Sequence, residues 1–167
     1  MMSHAMKCII LGFAIFLTVS TVTFASTLNA FVVKVEDGDS VRLSVTGCVD
    51  TVRYRLHGID APERGQTYGS VARERLSELI EKRKVRIVDH GAEKYNRRLC
   101  TIYLENGLDV NLQMVREGMA WHSAHFLTNS VYSSAHSEAK EHGRGLWVED
   151  NPIPPRIYRK GALSKRK

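Results

Sequence analysis

The chain has 167 residues, a net charge of +6 and three cysteines. With 43% apolar and 25% charged residues it is neither a disordered polyelectrolyte nor a set of membrane spans, and three cysteines do not build a disulfide framework. Lys7 is the only charged residue ahead of Ser26, so +5 remains from Ser26 onward, and a basic domain suits a polyanionic partner.

The first element is a targeting segment. Lys7 gives a short positive start, residues 8–17 are almost unbroken apolar sequence, and Thr23-Phe24-Ala25 puts small residues where a signal peptidase reads. Residues 1–25 are therefore expected to be a cleaved signal, with Ser26 the first mature residue. Cleavage after Ala30 and retention as an uncleaved anchor are the alternatives, although the apolar part is shorter than the roughly 20 residues that span a bilayer. Residues 26–150 then make one domain, and 151–167 a basic tail. A secreted or periplasmic location follows, with no stable membrane association once the signal is gone.

Residues 30–35 are an apolar, β-branched run, turned by Asp37-Gly38-Asp39. Alternation resumes over 40–45, turns at Thr46-Gly47, and returns over 51–57, which predicts a three-stranded meander. Residues 68–84 read as a helix with Val71, Leu76, Leu79 and Ile80 near one face. Short strands are expected at 85–88 and 99–104, the second followed by the Asn106-Gly107 turn. Asp109 caps a helix over 110–117 that Gly118 ends, and 130–142 makes the last helix. Pro152, Pro154 and Pro155 continue in extended form. The order β-β-β-α-β-β-α-α is that of an α+β fold, a five-stranded OB-type barrel with three helices. Cys100, in a strand-like run, reads as a buried small hydrophobe. Cys48 and Cys100 could pair in an oxidising compartment. His122 and His125 lack further metal ligands nearby and read as surface or core histidines.

The chemistry concentrates at three stations: Asp37-Gly38-Asp39; Arg55 to Glu63; and Tyr95-Asn96-Arg97-Arg98. Asp39 at the start of the second strand and Asp60 at the end of the third can lie side by side in a meander. Carboxylates so placed repel unless a cation sits between them. Glu63, held close by Pro62, suits a carboxylate that orients or deprotonates a water. Arg55 on its strand, with Arg53 on the same face, and Arg97 before the fifth strand can meet a phosphate. After Pro155 come Arg156, Arg159, Lys160, Lys165, Arg166 and Lys167 with no acid, either a solvated tail or a phosphate-tracking one.

The stretches 35–40, 55–63 and 95–99, with Val115 to Trp121, Gly143 to Trp147 and the Pro154-Pro155 run with Tyr158-Arg159, resemble the staphylococcal nuclease (thermonuclease) family over nearly all of the mature chain. The resemblance implies a calcium-dependent endonuclease acting on DNA and RNA as a monomer and leaving 3′-phosphate products. It implies that Asp39 and Asp60 bind calcium through carboxylates and Ala61 through its backbone carbonyl, that Glu63 is the general base, and that Arg55 and Arg97 neutralise the phosphate. Tyr95 matches a family aromatic that meets the substrate. Ala61 replaces a threonine of the prototype. The stretch Ser123-Ala124-His125-Phe126 aligns with the prototype's two nucleotide-binding tyrosines but offers one aromatic, so those two roles are not transferred. A non-catalytic OB module that binds nucleic acid or protein is the alternative, disfavoured by the joint presence of Asp39, Asp60, Glu63, Arg55 and Arg97.

Overall fold

Five strands close into a barrel in the computed structural model, which describes residues 27–93, 97–125 and 127–164. The expected signal segment, Tyr95 and Phe126 lie outside the described residues. The strands are β1 (Thr27–Val35), β2 (Ser40–Val45), β3 (Val52–Leu56), β5 (Lys84–Glu93) and β6 (Arg97–Tyr103), in the barrel order β1-β2-β3-β6-β5. All neighbours are antiparallel except β3 and β6, which run parallel with Tyr54 opposite Arg98. Alternation fills the interior with Val41, Leu43 and Val45 from β2, Tyr54 and Leu56 from β3, and Cys100 and Ile102 from β6. A bulge between Val32 and Lys34 shifts the phase of β1, so Val32 and Val35 both face inward although three residues apart.

Among the described residues there are four α-helices, α1 (Gly69–Ile80), α2 (Val110–Arg116), α3 (Ser130–Glu141) and α4 (Pro155–Ser164), with a 3-10 turn at Gly145–Val148; α1 and α2 pack on the barrel and α3 packs on α2. The sequence pattern predicts three. The fourth lies in the segment read as extended prolines and a basic tail, and its start at Pro155 is permitted because proline lacks only an N–H that the first helical turn leaves unpaired. Helix α1 buries Ala72, Leu76, Leu79 and Ile80, whereas Val71, expected on that face, is 43% exposed. It stops short of residue 84 because Lys82 takes a positive φ and Lys84 pairs with Phe31 in the barrel. Strand β5 runs well past residue 88: its polar end, Gly91–Glu93, still pairs with Arg97–Leu99 across a bulge at Asp89 and Gly91.

Asp60 does not end β3. Gly58, at φ +77°, turns the chain after Leu56, and Ile59–Asp60 form a separate two-residue strand, β4, paired with β7 (Trp121–His122). The fully buried Asn111 side chain on α2 ties this turn to the barrel. Its Nδ2 donates to the carbonyls of His57 and Cys100, each at 3.0 Å, and its Oδ1 accepts from Ile102 N–H at 3.2 Å. Asp109 caps α2 by accepting from Leu112 N–H and also accepts from the Tyr132 hydroxyl, locking α3 onto α2. Cys100 is fully buried and Cys48 exposed, and both are free thiols. Among the described residues no helix is long and apolar enough to cross a membrane.

Candidate active site

A cavity of about 610 Å³ opens where the β1–β2 turn, the loop after β4, the start of β6 and helix α4 converge. Asp39, Arg55, Asp60, Ala61, Glu63 and Arg97, the described members of the sequence-derived set, all line it. Arg55 reaches out from β3 and its guanidinium bridges the acid pair, Nη1 to Asp39 Oδ1 at 2.8 Å and Nη2 to Asp60 Oδ1 at 2.5 Å. The planar fork suits two carboxylates at once, which a point charge could not hold in this way.

Asp39 is only 4% exposed. Its Oδ1 also accepts from the Ser40 hydroxyl, and its Oδ2 accepts from Ala61 N–H at 3.0 Å. Burial pushes its carboxyl up to about 7; Arg55 and the Ala61 N–H oppose that shift, while Asp37 and Asp60 add to it. Gly38 makes the approach of the two acid loops possible. A Cβ there would stand 2.7 Å from the Ala61 Cβ and 2.9 Å from that of Ala72.

Glu63 follows Pro62 at the mouth of the cavity. Gln66 holds its backbone, accepting from Glu63 N–H at 3.0 Å through the side chain and donating its own N–H to the Glu63 carbonyl at 2.9 Å. The Glu63 carboxylate pairs with Arg159 from α4, whose Nη2 also stands 3.4 Å from Asp60 Oδ2.

Among the described residues no cluster of three or more His, Cys, Asp or Glu is arranged to hold a metal. The donor set still fits a hard divalent cation. Asp39 is a buried carboxylate kept from easy ionisation, its neighbour Asp60 offers oxygen only, and a hard ion completes its shell with carbonyls and waters. Positive charge at this pair would oppose the burial that holds Asp39 high and cancel the repulsion from Asp37 and Asp60 that adds to it.

Arg156, Arg159, Ser123 and His125 also line the cavity, and the sequence reading gave none of them a place there. His122, paired with Ile59, makes contacts to the Leu127 carbonyl and Ser133 that are structural.

Residues 53–149 match the family described as staphylococcal nuclease homologue. The chain belongs to the staphylococcal nuclease family. Relatives match over a larger share of the chain. A protein named micrococcal nuclease from Shigella flexneri is 32% identical over 159 residues, covering 89% of this chain and 90% of that one. Proteins named uncharacterized endonuclease are 36% identical, over 129 residues in Haemophilus influenzae (77% of this chain, 71% of that one) and over 132 in Escherichia coli O157:H7 (79% and 85%). The closed five-stranded barrel is consistent with the fold of that family.

Proposed function

We propose that the protein is a secreted or periplasmic, calcium-dependent, sugar-nonspecific endonuclease that hydrolyses DNA and RNA to 3′-phosphate products, acting once residues 1–25 have been removed. The observation that carries this reading is the Arg55-bridged pair Asp39 and Asp60 lining one cavity with Glu63 and Arg97. The names of the relatives, endonuclease and micrococcal nuclease, support the same reaction class.

Asp39 and Asp60 would hold the calcium through carboxylates and Ala61 through its carbonyl. The ion supplies Lewis acidity at a phosphoryl oxygen. Glu63 takes a proton from the attacking water, which adds to phosphorus as the bond to the 5′ oxygen breaks. The leaving oxygen takes a proton from solvent, so one water is consumed and a 3′-phosphate and 5′-hydroxyl result. Arg55 and Arg97 meet the negative charge that grows on phosphorus, where fixed donors each contribute on the order of 10²–10³ in rate. No base-reading side chain is needed, because metal and arginines address the phosphate.

The test incubates the protein from Ser26 onward with DNA and with RNA in calcium, in magnesium and in chelator, beside an Asp39→Ala/Glu63→Gln control. Calcium-dependent cleavage by the unaltered protein alone is expected. Binding without cleavage under every condition would instead establish a non-catalytic OB module.

A further inference from the structure

Helix α4 brings two arginines to the cavity three residues apart, Arg156 and Arg159, which therefore share one helix face. The helix is fastened to the acid loop rather than left loose. The Tyr158 hydroxyl donates to the Gly65 carbonyl at 3.1 Å, and the Gln66 side-chain amide donates to the Ile153 carbonyl just ahead of α4. Five arginines against four carboxylates line the cavity among the described residues, so the balance of charge there is positive without any cation. Arg159 spends its guanidinium on Glu63 and Asp60, but its side chain is 42% exposed. Ion pairs screened by water are weak, so another anion can take the exposed guanidinium in their place. A phosphodiester, like a carboxylate, offers an arginine fork two oxygens at once.

We propose that α4 is a nucleic-acid-binding arm: Arg156 and Arg159 take backbone phosphates next to the scissile one, and Arg159 leaves Glu63 and Asp60 to do so. The exchange also releases Glu63 for its proton. This inference rests on the nuclease reading, and it makes α4 part of the substrate surface rather than a solvated tail.

The test is fluorescence anisotropy of a fluorescein-labelled 12-nucleotide single-stranded DNA between 50 and 200 mM KCl, in chelator so that nothing is cleaved. Each phosphate contact on a single strand contributes about 0.7 to the slope of log K against log salt. Arg156→Gln/Arg159→Gln is expected to flatten that slope by about 1.4, and Arg156→Lys/Arg159→Lys to keep it. A slope in the unaltered protein no steeper than in the glutamine pair overturns the proposal. Should circular dichroism show the pair unfolded, Arg156→Gln alone decides, because Arg156 is exposed and its loss is expected to flatten the slope by about 0.7; an unchanged slope overturns the proposal equally. Cleavage by the unaltered protein in calcium is scored separately, so an active nuclease with an unaffected slope refutes the arm alone.

Discussion

Replacing Asn111 by aspartate tests how firmly the turn that carries Asp60 is held. The two side chains have nearly the same shape, so packing is kept and only the hydrogen bonding changes. One oxygen still accepts from Ile102 N–H, but the other now faces the carbonyls of His57 and Cys100 in place of the donating amide. As a neutral acid the group can donate to one of them. The other bond is lost at a cost of about 0.5–1.5 kcal/mol, because the Cys100 carbonyl still accepts from His57 N–H. Ionisation is worse, because a bare carboxylate would be sealed against two oxygen dipoles. The folded pKa is therefore raised above the unfolded value of about 3.9. With that sign, stability is lost as pH rises from about 4 toward the folded pKa, at about 1.4 kcal/mol per pH unit. By pH 7 the total approaches about 5 kcal/mol, comparable with the whole stability of many single domains. Urea unfolding of variant and unaltered protein at pH 5 and pH 7 measures it, and the subtraction cancels every other titrating group. The destabilisation is expected to be about 2.8 kcal/mol larger at pH 7. Equal values at the two pH settings would refute the reasoning by showing that water reaches the Asn111 site.

Glu63→Gln is expected to leave folding and calcium binding largely intact while lowering turnover by about 10² or more, checked by single-turnover cleavage; near-normal rates would remove Glu63 as the base. Arg97→Lys keeps the charge but not the fork, and a loss of at least about tenfold in kcat is expected; an unchanged rate would place Arg97 away from the phosphate. Gly38→Ala drives a methyl into Ala61 and Ala72 and so parts the two acid loops. A fall in kcat/KM on the order of 10² is expected from a misplacement of about 1 Å, and retained activity would show that the loops yield. Burial pushes the Asp89 carboxyl up, but Arg98, the Gly91 N–H and the Tyr54 hydroxyl outweigh it and hold it below its ordinary value. That contribution is complete above the unfolded pKa of about 3.9 and is lost as pH falls below it, so Asp89→Asn is expected to decline less steeply in acid than the unaltered protein.

The barrel was legible because its strands bury one face, and one buried face writes alternation into the sequence. That Asp39, Asp60, Glu63, Arg55 and Arg97 come together around one cavity was foreshadowed because they stand in short, chemically unusual clusters. Strands β4 and β7 were not, since two residues cannot show a period, and so Asp60 was placed one strand too early. The far half of β5 was missed because its pairing is polar and lies beyond the apolar interior. Helix α4 was missed for two reasons. Its onset sits in a proline cluster, and its density of basic residues reads as a solvated tail. The contact that gives Arg159 its place spans 96 residues of chain, which no local pattern records.

The chain's two tryptophans are Trp121 and Trp147, and they pack edge to face with ring centroids 5.3 Å apart. Trp121 is the register partner of Asp60, and the Lys140 ammonium stands 5.2 Å from the Trp147 ring. Tryptophan fluorescence therefore comes from one ring on the strand paired with β4, which carries an acid of the site, and a second ring packed against the first. An ion arriving at Asp60, or a shift of β4, acts on that emission without any attached dye. The protein thus contains its own optical gauge of the state of its acid pair, readable in the absence of turnover.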